Sequence, residues 1–232
     1  MELLSGLADE VAWYAQRAPA LPSCRCIKKK GNSSLLSVED GLACSGAGSC
    51  SGGNPMAVMG YLSSVGVVTG GDYGETDQKT CLPYAVPPNG AVPPYKCPGT
   101  GSAGTCSETK YPVSWALDKH KGGSPYTCTA VSPGCMQACL ASGPFAVSIT
   151  VFPDLGSYKE GVYTCKGKSA GGEGHTIVII GWGLEPPAST PYWLVKNSWG
   201  ESWGDKGLFK VTRGINDCGI ESPTNIMISD PT

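Results

Sequence analysis

Two apolar runs separated by a short polar turn constrain this chain more than any other feature. The first reads Glu173-Gly174-His175-Thr176-Ile177-Val178-Ile179-Ile180-Gly181-Trp182-Gly183, and the second Pro191-Tyr192-Trp193-Leu194-Val195-Lys196-Asn197-Ser198-Trp199-Gly200. Each is rich in the β-branched and aromatic residues that fill strands. A hairpin lays the start of one strand beside the end of the next, so His175 and Asn197, 22 residues apart (197 − 175), can meet. An imidazole oriented by a carboxamide is half of a nucleophile-activating set, which directs attention to the missing nucleophile.

The bulk numbers narrow the remaining classes. The 232 residues can bury a substantial core. A formal net charge of −2 gives no electrostatic footprint for nucleic acid or an acidic membrane. Lys28-Lys29-Lys30, the single basic run, reads as a solvated turn before Gly31-Asn32. No run of eighteen apolar residues occurs, so no membrane-spanning segment is expected. Twelve cysteines with 33 Gly and 19 Pro indicate an oxidising compartment and a cross-linked, loop-rich fold. Cys24-x-Cys26 and Cys135-xxx-Cys139 lack the spacing and histidines of a zinc site, so neither metal nor cofactor is expected. Asn32-Ser33-Ser34 is a glycosylation sequon, whereas the residues after Met1 lack a basic start and a long apolar run, so no signal peptide is read there.

Along the chain, helical spacing is expected over 3–17, through Leu3, Leu4, Leu7, Val11 and Tyr14. Ser37 followed by Asp40 resembles a capping box opening a short helix over 36–42, and Pro55 to Val65 and Ser132 to Leu140 are further helices. Gly52-Gly53 beside Pro55 allows close backbone approach by a ligand or another strand. Residues 70–125 show little periodicity and read as a disulfide-held surface loop, with His120 exposed and unpartnered in it. Strands are expected at 145–151, 161–165, 175–182, 192–197, 208–213 and 225–229. Helices followed by strands imply an α+β protein, with a helical first lobe over about 1–130 and a second over about 131–232.

The chain resembles the papain family of cysteine peptidases, and within it the cathepsin B branch. The resemblance rests on Gly174-His175, on Pro191 to Gly200 continuing to Gly204, and on Cys218-Gly219-Ile220-Glu221-Ser222. Upstream it rests on Cys50-Ser51-Gly52-Gly53, Gly70-Gly71-Asp72-Tyr73 and Cys81-Leu82-Pro83-Tyr84. It implies one two-lobed, disulfide-rich peptidase domain whose second lobe is an antiparallel β-barrel-like sheet. His175 would be the acid/base, Asn197 its orienter and Trp199 a shield over their hydrogen bond. Gly52 and Gly53 would bind substrate backbone. Pro55, Ser148, Thr176 and Pro223 would line the pocket for the second residue before the scissile bond, giving an apolar preference there. The resemblance also implies a monomer acting on peptides or proteins, cystatin-like inhibitors as partners, and a lysosomal, vacuolar or extracellular location.

In three places the chain departs from the family pattern. No Gln-x-x-x-Cys-Gly-Ser-Cys-Trp string occurs, and positions about 14 residues before Cys26 and about 31 to 33 before Cys44 converge on Ala12 as the nucleophile slot. Gly6 stands where the oxyanion glutamine belongs. Cys24 is a poor substitute, because it lies too near Cys44 and follows the end of the expected helix, where the dipole disfavours a thiolate. The loop between Cys81 and Cys106 has no histidine pair to hold a substrate carboxylate, so endopeptidase action is expected over dipeptide removal. By resemblance, Cys165 pairs with Cys218 and Cys44 with Cys106, and Cys81 is expected to pair with Cys97 because the usual partners of both are replaced, by Lys110 and Asn89. Cys26 and Cys50 lose their customary partners, which favours a shortened or wrongly started chain over a settled loss of the thiol. The alternative is a non-catalytic binding or matrix protein that keeps the cleft. A secreted domain unrelated to proteolysis is opposed by Asn197-Ser198-Trp199-Gly200.

Overall fold

The computed structural model describes residues 35–49, 52–71, 73–74, 77–85, 96–99, 103–124, 132–222 and 226–227. The expected helix over 3–17, Gly6, Ala12, Cys24, Cys26 and Pro223 lie outside these. The chain divides into two compact units, Met1–Pro125 with Ser229–Thr232, and Tyr126–Ile228.

In the first unit, helix α1 (Val38–Ser45) is followed by the short strands β1 (Gly48–Ser49) and β2 (Gly52–Gly53) and helix α2 (Pro55–Ser64). Ser37 caps α1 by accepting from the Asp40 N–H at 3.1 Å. Only half of the expected capping box forms, because the fully buried Asp40 carboxylate faces elsewhere. It accepts from the Val68 N–H (2.9 Å), Tyr61 OH (2.9 Å) and Lys119 Nζ (2.6 Å). Lys119 also lies 4.4 Å over the Trp115 ring, so the buried charge has an ionic and an aromatic partner.

The segment 67–71 organises this unit, and it corrects the expectation of a surface loop over 70–125. Its backbone exchanges hydrogen bonds with Leu35, Ser37, Leu82, Tyr84 and His120. A second buried carboxylate, Asp118, accepts from the Thr69 N–H and Oγ1 (both 2.7 Å) and from Tyr111 OH (2.7 Å). Val68, Cys81, Leu82 and Trp115 close over it as a small core. The missing periodicity has a physical reason: carboxylates satisfy backbone donors that a strand neighbour would otherwise take. Gly70 fits because a Cβ there would stand 2.5 Å from Ser37 Cα and 2.6 Å from Leu82 O. His120 is likewise not a free surface residue. Its backbone pairs with Val67, which leaves the ring half-buried with Nε2 3.8 Å from Asp118.

Two disulfides differ from the expected pairing: Cys44 bonds Cys97, and Cys81 bonds Cys106. The Ser107 N–H donates to Cys81 O at 3.0 Å and so brings Cys106 to the buried Cys81. Gly99 O lies 3.6 Å from Cys44 Sγ, which places the 97–99 stretch beside α1.

The second unit opens with helix α3 (Pro133–Ser142), capped by Ser132, and then forms a six-stranded sheet. Its strands are β3 (Phe145–Val151), β4 (Val162–Tyr163), β5 (Glu173–Glu185), β6 (Thr190–Lys196), β7 (Leu208–Thr212) and β8 (Ile226–Met227), in the order β4-β7-β6-β5-β3-β8. All neighbours pair antiparallel except β4 with β7. β5 runs three residues further than expected at its far end, past an irregularity between Ile179 and Gly181. One sheet face buries Phe145, Val147 and Ile149 opposite Ile179, Ile177 and His175. Trp193 is fully buried in this core, and its Nε1–H donates to Glu221 at 2.9 Å. Cys165 bonds Cys218, as the resemblance implied. Asp217 stands beside these sulfurs, but a disulfide offers no thiolate ligand, and Asp217 is engaged by Thr164 Oγ1 and the Cys165 N–H.

Gly70→Ala is expected to cost at least about 1–3 kcal/mol by overpacking, read from urea unfolding. Burial alone would push the Asp118 carboxyl up, but His120 and the hydrogen bonds from Thr69 and Tyr111 outweigh it and hold it below the ordinary range. A depressed carboxyl contributes stability above its unfolded pKa and loses it as pH falls through the folded one. Unfolding followed from about pH 5 to pH 2 should therefore lose stability in the parent, with a shallower slope in Asp118→Asn.

Candidate functional site

Because β5 and β6 run antiparallel with Val178 opposite Lys196, the beginning of β5 lies beside the residues that follow β6. That places His175 Nε2 2.8 Å from Asn197 Oδ1, with both residues only 2 % exposed. Asn197 is held by its own N–H, which donates to Gly207 O at 2.8 Å. The Ser198 N–H donates to Asn197 Oδ1 at 2.7 Å.

These contacts assign the protons. A backbone N–H can only donate, so the atom it meets on Asn197 must be the carbonyl oxygen. That oxygen can only accept, so the proton of the His175–Asn197 bond belongs to Nε2, and Nδ1 is the basic atom of the neutral ring. Asn197 Nδ2 has no hydrogen-bond partner among the described residues. The carboxamide is therefore held through its oxygen, the end that orients the imidazole.

Trp199 stacks on His175 with ring centroids 5.2 Å apart and planes 27° from parallel. Trp203 meets Trp199 edge-on at 4.9 Å, and its own Nε1–H donates to Gly156 O at 3.1 Å. The indole covering the His–Asn bond is thus braced by a second, anchored indole.

The other sequence-derived positions separate into groups. Ser148 and Thr176 are cross-strand partners with hydroxyls 3.2 Å apart, and alternation puts Thr176 on the opposite face of β5 from His175. Gly52 and Gly53 lie in the first unit, where Gly53 pairs with Gly48 and Gly52 with Ser49, and Pro55 opens α2. The other strand anticipated for this glycine pair is therefore β1, and Gly52 sits at φ 118°, a conformation that favours glycine. Sequence reading gave no role to Glu221. This buried carboxylate accepts from Trp193 Nε1, the Gly214 N–H (2.6 Å) and the Asn216 N–H (2.8 Å), tying β6 to the turn after β7. Its place in Cys218-Gly219-Ile220-Glu221-Ser222 was the available signal.

Residues 11–228 match the papain family cysteine protease domain, and the chain belongs to that family. Its relatives are cathepsin B-like. It is 39% identical over 217 residues to a gut-specific cysteine proteinase of Caenorhabditis elegans, covering 90% of this chain and 63% of that protein. It is 38% identical over 222 residues to cathepsin B-like cysteine proteinase 4 of the same organism, covering 90% of this chain and 64% of that protein. The chain thus spans somewhat less than two thirds of these relatives' length. Among solved structures, procathepsin B S9 from Trypanosoma congolense superposes with a TM-score of 0.75 at 26% identity, covering 95% of this chain and 69% of that one. Bromelain from Ananas comosus, in complex with the E64 inhibitor, gives 0.64 at 25% identity, covering 95% and 88%.

Replacing Trp199 by Ala should leave the His–Asn bond in place but open it to water. The Nε2–H proton signal of His175 in NMR spectra should then exchange markedly faster. Asn197→Ala should abolish that signal's protection and cost about 1–3 kcal/mol in urea unfolding, since a buried partner is lost.

Proposed function

We propose that this chain is a cathepsin B-like peptidase domain that retains the imidazole–carboxamide half of the catalytic set and lacks its nucleophile. The observation that carries this reading is the buried His175–Asn197 bond under Trp199, with the protonated nitrogen turned to Asn197. In the family's chemistry a cysteine thiolate attacks the peptide carbonyl and the imidazolium protonates the leaving amine. A backbone N–H and a glutamine amide stabilise the oxyanion. Here the nucleophile position falls on Ala12, whose methyl group carries no lone pair, and the glutamine position on Gly6. The chain as it stands therefore does not cleave peptides by this route.

The substrate class is peptide or protein, with an apolar side chain preferred at the second residue before the scissile bond, a preference that rests on the family resemblance. An endopeptidase mode fits the histidine-free loop between Cys81 and Cys106. The three disulfides fit an oxidising compartment, and a lysosomal, vacuolar or extracellular monomer open to cystatin-like inhibitors follows from the family. A second reading, a secreted binding or matrix protein that uses the cleft without chemistry, is favoured by Ala12 itself.

The test is restoration. Ala12→Cys, alone and with Gly6→Gln, should hydrolyse fluorogenic peptides with an apolar residue at that position, whereas the parent should hydrolyse none. A folded Ala12→Cys/Gly6→Gln variant without activity would sink the peptidase assignment of the remaining site. Peptide binding by the parent together with such inactivity would support the binding-protein reading.

A further inference from the structure

Glu39 is the buried carboxylate for which the first unit provides least. It lies in the first turn of α1 and is 6 % exposed. Asp40 and Asp118 are buried to a similar degree, and each accepts from three donors. Among the described residues Glu39 accepts from one, the Ala85 N–H, at a long 3.4 Å. That bond closes a series. The Leu82 N–H donates to Thr69 O at 2.9 Å, the Tyr84 N–H donates to Gly71 O at 3.0 Å, and Ser37 Oγ donates to Leu82 O at 2.8 Å. Glu39 is thus the last fastening along the 82–85 stretch.

Among the described residues no cation compensates it. On α1 the adjoining Asp40 is engaged by Val68, Tyr61 and Lys119. Of the elements packed against α1, β1 brings no titratable side chain and α2 brings only the Tyr61 phenol, which is bonded to Asp40. The 67–71 segment carries none, and 82–85 carries only the buried Tyr84. Further along, Lys119 is held by Asp40, Lys121 Nζ donates to Ser64 O, and His120 stands against Asp118. The eight-residue α1 is short, so its dipole lends the charge little support. A carboxyl withdrawn from water with one weak donor favours its neutral form. Burial pushes the Glu39 carboxyl up from its ordinary value, and the opposing hydrogen bond from Ala85 is the smaller effect.

We infer that Glu39 is a proton-operated clasp: on taking up a proton from solvent its side chain settles in place under Ala85, and the 82–85 stretch is held more firmly in acid than at neutral pH. This holds whether or not the cleft cleaves peptides. A carboxyl raised in the folded state contributes its full stability below the unfolded value of about 4.3 and loses it as pH rises through the folded one. The sign is opposite to that of Asp118, whose contribution is lost on the acid side. Between them the two carboxyls put the optimum of the first unit below neutrality, as an acidic compartment would require.

The experiment follows urea unfolding and the exchange of the Ala85 amide, corrected for its intrinsic pH dependence, from about pH 4 to pH 7.5. The parent chain is compared with Glu39→Gln, whose neutral carboxamide keeps an acceptor for Ala85. The parent should lose both stability and Ala85 protection as pH rises. Glu39→Gln should match it near pH 4 and exceed it at pH 7.5. Both proteins carry the same histidines, so the titration of His120 and His175 cancels in the difference. Parallel pH profiles overturn the inference, as does a Glu39→Gln variant less stable than the parent at pH 7.5, since the fold would then prefer the charged carboxylate. The side-chain carboxyl carbon of Glu39, followed by NMR in the parent, decides the matter without the variant. Titration above the unfolded value, in step with Ala85 protection, supports the clasp, and titration at or below that value overturns it.

Discussion

The antiparallel pairing of β5 with β6 is the constraint on which the second unit depends. It sets two things at once. One face of β5 carries Ile177 and Ile179 into the core, and the same register delivers His175 to the residues that follow β6. Side chains in strands alternate strictly, so a slip of one residue would turn the imidazole to the other face and expose the core isoleucines. Position of the site and stability of the sheet are therefore one property, and the geometry at His175 is as firm as the packing beneath it.

The first unit solves a different problem. It has little regular structure to satisfy its backbone, and it places carboxylates where a sheet would place neighbouring strands. Asp40 and Asp118 receive adjacent N–H groups of the 67–71 segment, those of Val68 and Thr69. Each is then stabilised by further donors, so the desolvation of two buried charges is offset by hydrogen bonds and, for Asp40, by the Lys119 ammonium. The unit trades local regularity for long-range polar closure, with two disulfides reinforcing it.

Legibility of the sequence followed this division. β3 matched the expected span, β5, β6 and β7 were visible as apolar runs with shifted ends, and Ser37, Pro55 and Ser132 marked their helices through capping and proline chemistry. The meeting of His175 with Asn197 could be anticipated because a hairpin converts sequence spacing into proximity. The interior of 70–125 was not legible: its order comes from contacts such as Thr69 with Asp118, 49 residues apart, which leave no period in the sequence. The pairings expected for Cys44 and Cys81 failed for the same reason, while Cys165 with Cys218 held: twelve sulfurs carry no spacing code, and the choice between Cys97 and Cys106 is made by tertiary backbone hydrogen bonds. Proton assignment at the site required the Ser198 N–H, a backbone group invisible to any side-chain motif.

Glu221 carries an implication of another kind. Its carboxylate joins the buried indole of a central strand to a distant turn through three N–H donors. Truncating Trp193 would cost about 3–5 kcal/mol and leave the carboxylate one donor short, so the two residues fail together. The Cys218 to Ser222 segment is therefore kept by the requirement to fold, whatever becomes of the chemistry. A descendant of such a chain can lose its reaction and still display the family signature, because that signature reports on architecture and is silent about turnover.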